Sequence, residues 1–213
     1  MKNPVIPILI LLVLTLFATI SAAGGDWQIV SDGDGTTLFV RELRGHSEAQ
    51  FKGVCVVDRP IEDVGSVLSD IGSYPKWFFR CIEAKKVPLK NSSEHHFFLY
   101  VAIDTPWPFA DRDVVYETRV RIDPASGKVV IRSQALKKTT LPSRRRYLRI
   151  TDSEHEWILE KISAGRTRII FINRTNVAGP FSNYISNPGI RDTTVYSLTN
   201  LKKILEHPGD TEK

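Results

Sequence analysis

The sequence predicts an α+β fold in which a curved antiparallel β-sheet wraps around one long C-terminal α-helix. Three observations carry this reading. Period-two runs fill the middle of the chain, helical spacing is confined to a short early segment and to the end, and clusters of turn-forming residues separate the runs. The length of 213 residues, with 42% hydrophobic and 25% charged, suits one domain with a proper core.

The chain opens with MKNPVIPILILLVLTLFATISAAGG, one Lys followed by an uncharged apolar run and then Ser21-Ala22-Ala23. Small residues after such a run are the pattern of a signal peptide cut after Ala23, although the run also approaches bilayer-spanning length, so an uncleaved anchor is the competing reading. The expected organisation is therefore a signal peptide over 1–23, one domain over 24–208 and a short tail over 209–213. Export to the periplasm follows from this reading. Cys55 and Cys81 could pair there, or Cys55 could serve as a small buried hydrophobe.

Next, QIVSDGDGTTLFVREL predicts a hairpin turning at Asp34-Gly35, and EAQFKGVCVVD predicts a strand. In RPIEDVGSVLSDIGSYPKWFF, Pro60 suits a helix start and Ile61, Val64, Val67 and Leu68 recur at helical spacing. Gly72 and Pro75 break that helix, giving two short helices in this region. CIEAKKVPL and HHFFLYVAID follow as strands, then RDVVYETRVRI and KVVIRSQAL around the turn DPASG. RYLRI, EHEWILEKI and TRIIFINRT complete an antiparallel meander. At the end, Val195, Leu198, Leu201 and Leu205 form the stripe of an amphipathic helix, with Ser197, Asn200 and Lys203 off it. Lys202 and Lys203 lie near its C-terminus, where the helix dipole favours cations. One helix does not fill the concave face of such a sheet, so a cavity is expected.

Within RDVVYETRVRI, Arg112, Val114, Tyr116, Thr118 and Val120 share one face and the charges collect on the other. Arg112 is thus in phase with the inward face. A buried guanidinium needs partners or water, because leaving it unpaired costs several kcal/mol, roughly. Candidate partners are Asp104, Tyr100 or a hydroxyl or carboxylate of a ligand. Two readings stay open, a ligand contact and a salt bridge that only fastens strands. Phe78, Phe79, Trp107, Tyr116, Trp157 and Phe171 are large groups on or near inward faces and suit either a core or a tunnel wall.

No HExxH, CxxC, GxSxG or glycine-rich phosphate loop is present, so no cofactor, metal site or catalytic residue is assigned. Cleavage would remove Lys2 and lower the formal charge from +5 to +4, too mild to imply nucleic acid. Lys137, Lys138, Arg144, Arg145 and Arg146 form a basic cluster that is either a solvated surface or a transient contact for an anionic membrane.

PWPFADRDVVY resembles the Pro-Trp-Pro…Arg-Asp segment that opens a central strand in the START family of lipid-transfer domains, within the helix-grip (SRPBCC) superfamily. VLSDIGSYPKWF, YLRI…EWILEKISAGRTRIIFIN and the Asn187-Pro188 entry to the last helix are similar to the family in order and spacing, across about residues 27 to 206. Before the last helix the chain reads Asn176-Val177-Ala178-Gly179-Pro180, where the family commonly has an Asp-Pro-Gly-Gly-like turn. The resemblance implies a helix-grip fold with an internal hydrophobic tunnel that binds one lipid without chemistry, and Arg112 at the position that faces the tunnel. The expected protein is a monomer that carries its lipid. Polyketide cyclases, aromatases and hydrolases of the same superfamily supply the alternative, a cavity enzyme. An interaction module with a vestigial cavity is a third reading.

Overall fold

The computed structural model describes residues 25–207 apart from 34, 90, 180 and 181, with side chains in the last helix described from 186 onward. The expected signal peptide, Asp34 of the first turn and the short tail lie outside the described residues. The elements are β1 (Gln28–Gly33), β2 (Thr36–Arg41), β3 (Gln50–Val57), α1 (Ile61–Ser69), a 3-10 turn (Ile71–Ser73), α2 (Tyr74–Trp77), β4 (Cys81–Val87) and β5 (His96–Ile103). They continue with β6 (Arg112–Ile122), β7 (Val129–Ala135), β8 (Leu148–Ile150), β9 (Asp152–Ser163), β10 (Arg166–Asn176) and α3 (Ser182–Glu206).

The strands form one sheet in the order β1-β2-β3-β10-β9-β7-β6-β5-β4. Short β8 departs from the expected antiparallel meander. It runs parallel to the start of β6, with Leu148 opposite Arg112. Local chemistry accounts for the helices. Ile61, Val64 and Leu68 give α1 its buried stripe, and Glu62 and Asp63 complement the positive end of its dipole. Pro75 lies at the start of α2, where a missing N–H is harmless.

Helix α3 lies on the concave face against β3 and β10, burying Ile190, Thr194, Leu198, Leu201 and Leu205. The approach is close. A Cβ on Gly53 of β3 would sit 2.3 Å from Leu198 Cδ1 and 3.1 Å from Thr194 Cγ2, so only glycine fits there. Pro188 does not mark the helix entry, because α3 begins at Ser182 and carries Pro188 inside. Ser197 is also not off the stripe. It is fully buried, and its Oγ accepts the Phe79 N–H at 3.1 Å, while Asn200 Nδ2 donates to the Trp77 carbonyl at 3.1 Å. These polar residues fasten α3 to the end of α2 and the residues just after it.

The sheet is buried on its convex side too, around β5 and β6. Leu136, Leu141 and Tyr147 from the β7–β8 connection cover Tyr100, Ala102 and Val115. Hence Asp113, on the β6 face expected to be wet, is fully buried. Arg149 holds it with Nε at 2.6 Å and Nη2 at 3.0 Å. Cys55 and Cys81 are both free and buried, and burial pushes each thiol up to about 12. No helix among the described residues is long and apolar enough to cross a membrane.

Candidate functional site

Between the concave sheet and the helices lie two chambers. The smaller, about 280 Å³, is bounded by the β5–β6 loop, the segment after β10 and the first half of α3. Its walls include Phe78, Phe79, Ile103, Phe109, Arg112, Tyr116, Ile150, Asn173, Thr175, Val177 and Ile190. The larger, about 800 Å³, lies under α1 and is lined by Leu68, Ile71, Tyr74, Phe97, Leu99, Val120, Val129, Ile131 and Trp157. Phe78 and His155 border both chambers. They form a partition, and exposed residues at the far ends (Asp104 and Pro106 on one side, Glu62 and Lys86 on the other) open each chamber toward solvent.

Arg112 is buried in the wall of the smaller chamber, and backbone carbonyls satisfy it. Its Nε donates to Val177 O at 3.0 Å, Nη2 donates to Ala178 O at 3.1 Å, and Nη1 donates to Ala110 O. The loop after β10 is shaped for this. Ala178 and Gly179 have φ of 58° and 92°, a left-handed pair that turns successive carbonyls toward one point. A Cβ on Gly179 would lie 3.0 Å from Leu148 Cδ1 and 3.6 Å from Arg112 Nη2. Burial pulls the guanidinium's proton affinity down, opposed by Asp111. Among the described residues three of its five N–H groups find acceptors, which leaves donor capacity beside the cavity.

A hydroxyl chain borders the same chamber, with Tyr116, Thr175 and Asn173 in its wall and Ser153 linking Tyr116 to Thr175. Tyr116 Oη lies 2.9 Å from Ser153 Oγ, which lies 2.7 Å from Thr175 Oγ1, and Thr175 donates to Asn173 Oδ1 at 3.2 Å. An amide oxygen only accepts, so the polarity runs from Tyr116 to Ser153 to Thr175 to Asn173. Burial pushes the Tyr116 phenol up to about 12, with the Ser153 bond pulling the other way.

No protein-family model matches the chain. It is 24% identical over 186 residues to the uncharacterized protein PA1579 of Pseudomonas aeruginosa, covering 87% of this chain and 90% of that one. Among solved structures, it is similar to a STAR-related lipid transfer protein from Xanthomonas axonopodis, with a TM-score of 0.76, 22% identity and 85% and 99% of the two chains covered. Human STARD10 gives a TM-score of 0.74 at 18% identity, covering 85% of this chain and 74% of that one. Human StAR-related lipid transfer protein 5 gives 0.76 at 14%, with 86% and 88% covered. The chain has the START fold.

Within this START fold the residues singled out from the sequence separate into groups. Arg112, Tyr116, Phe78 and Phe79 line the smaller chamber, Trp157 lines the larger one, and Phe171 stacks behind Trp157 at 3.9 Å, fully buried. Asp104 is at the rim and pairs with Arg80, not with Arg112. Tyr100 is not a cavity residue, because it alternates to the convex face, where its hydroxyl reaches Asp113 at 3.5 Å. Trp107 is not a wall residue either. It is 92% exposed in the β5–β6 loop, the cavity side of which is taken by Pro106 and Phe109.

The sequence reading missed His155. Its phase with Trp157 and Leu159 signals an inward side chain, masked by the acids on either side. Both ring nitrogens are buried and, among the described residues, neither has a hydrogen-bond partner, while burial pushes the imidazole down to about 4. Elsewhere, His46, Glu48 and Asp152 bring ligand-type atoms within 4.8 Å of one another. Those carboxylates are already engaged, Asp152 by Arg174 at 2.6 Å and Glu48 by Asn176 at 2.6 Å. A cationic guanidinium in that position opposes metal binding.

Proposed function

We propose that this protein binds a lipid or other hydrophobic molecule in the paired chambers and carries or presents it, without transforming it. The observation that carries this reading is the pair of largely apolar chambers meeting at Phe78 and His155 beneath α3. Burial alone is sufficient to hold such a ligand. At about 0.8 kcal/mol per methylene, a chain of roughly sixteen carbons gains on the order of 10 kcal/mol. The START neighbours whose names state lipid transfer support the same class of ligand.

Entry is proposed at the smaller chamber. The loop clipped by Arg112, the β5–β6 loop with exposed Trp107 and the segment leading into β8 all gather at this end, as the Leu148 N–H bond to Asp111 O at 2.9 Å indicates. Exposed Arg145 and Arg146 lie in that last segment, so Trp107 and these cations would together meet an anionic bilayer. Cleavage after Ala23 would place the carrier in the periplasm.

A cavity enzyme is the second reading, favoured by the convergence of Tyr116, His155, Asn173 and Thr175. Their acidities weigh against it. An imidazole at about 4 is a weak base near neutrality and a phenol at about 12 is a weak acid, whereas efficient general acid–base groups titrate close to the working pH. The test is transfer of a fluorescent phospholipid or fatty acid between donor and acceptor vesicles. The carrier reading expects faster transfer with protein and recovery of the lipid at unchanged mass. Transfer no faster than spontaneous exchange rejects carriage, and a lipid recovered with altered mass supports the enzyme. Trp107→Ala is expected to slow transfer while leaving ligand affinity in place.

A further inference from the structure

The concave face carries a polar row that packing alone does not require. Strand register sets Thr118 of β6 opposite Ser133 of β7, Ser133 opposite His155 of β9, and His155 opposite Asn173 of β10. The next row toward Trp157 is apolar, with Val120, Ile131 and Phe171 in register with it. Thr118 and Ser133 satisfy each other at 3.0 Å, and Asn173 accepts from Thr175. His155 is the exception. It lies at the centre of the row and at the junction of the two chambers, packed edge-on to Tyr116 at 4.3 Å, with neither nitrogen bonded among the described residues. A buried unmet donor and acceptor on one ring is destabilising, and such groups call for a ligand or a functional reason.

We propose that His155 is a hydrogen-bonding anchor inside the tunnel, selecting ligands that carry a neutral hydroxyl or carbonyl part-way along an apolar body that occupies both chambers. This rests on the carrier reading and specifies its ligand class. The chemistry follows from the ring. A neutral imidazole offers one donor and one acceptor, so it matches a hydroxyl in either sense and a carbonyl in one. Burial holds it neutral, which disfavours pairing with a carboxylate or phosphate at that depth. The apolar surroundings contributed by Phe78 and Phe171 make the bond discriminating, since a ligand without the group leaves both nitrogens unmet.

The experiment compares stearic acid with stearic acids carrying one hydroxyl at successive positions along the chain, by displacement of a bound fluorescent fatty acid. The wild-type protein is expected to prefer one hydroxyl position over stearate by about fivefold, the equivalent of one neutral hydrogen bond. His155→Phe is expected to bring that ratio to about one, and His155→Gln, which keeps a donor and an acceptor, to restore part of it. Far-ultraviolet circular dichroism and melting verify that both variants are folded. A wild-type protein that binds stearate and all the hydroxystearates equally overturns the proposal and leaves the carrier reading standing, as does a preference that survives in His155→Phe. If stearate and the hydroxystearates all fail to bind, the anchor proposal is overturned for chain lipids, and the carrier reading is decided separately by the vesicle transfer assay.

Discussion

His155 makes the stability of the protein depend on pH in a way that one substitution isolates. Burial lowers its imidazole from the ordinary 6.5 to about 4. The unfolded chain therefore takes up that proton before the folded one does. Stability from this source is fully present above the unfolded value of 6.5 and drains away as the pH falls toward 4. At about 1.4 kcal/mol for each tenfold change in proton affinity, the loss amounts to about 3 kcal/mol. Other groups also titrate in acid, among them Glu117, Asp152 and Glu160, whose carboxyls are held low by hydrogen bonds from basic side chains. His155→Phe keeps those contributions and removes only the imidazole, so the difference between the two proteins is the informative quantity. Urea unfolding at a series of pH values from about 7.5 to 4 is expected to show the wild type losing about 3 kcal/mol more than the variant. Parallel curves for the two proteins would refute the reasoning, since the imidazole would then titrate alike in folded and unfolded chains.

Three further outcomes are expected. Arg112→Leu strands the Val177 and Ala178 carbonyls, and it should cost about 3 kcal/mol in denaturant unfolding and speed hydrogen exchange in the segment around them. Asp113→Asn leaves Arg149 half-buried without its counter-charge, and a loss of about 3 to 5 kcal/mol in the same assay is expected. Gly53→Ala pushes a methyl into Leu198, so the Leu198 side chain must repack or α3 must shift from β3. A drop of about 1 to 3 kcal/mol with a lowered melting temperature measures that contact.

The alternation in β6 was readable because one face of a strand repeats every second residue, and it placed Arg112 and Tyr116 inward correctly. The partners of Arg112 were not readable. They are backbone carbonyls, that of Ala110 nearby and two others 65 and 66 residues away, and every residue carries a carbonyl, so side-chain identity gives no signal. Tyr100 and Asp113 misled for a related reason. The cover on the convex face comes from Leu136, Leu141 and Tyr147, in a connection with no periodic pattern of its own. Trp107 was assigned to a wall on hydrophobicity, yet exposed aromatics occur where a surface meets an apolar partner. His155 was legible in phase and passed over in type, because flanking acids made its strand look wet. Ser197 and Asn200 show the same limit in a helix, where polar groups taken for solvent-facing instead tie α3 to the end of α2 and the residues just after it.

The central claim, that the space beneath α3 holds one hydrophobic molecule, is tested most directly by native mass spectrometry after incubation with vesicles of mixed membrane lipids. The expected result is a species heavier than the polypeptide by the mass of a single lipid, released intact on denaturation. A spectrum containing the polypeptide alone, across a range of lipids and protein concentrations, would contradict the account.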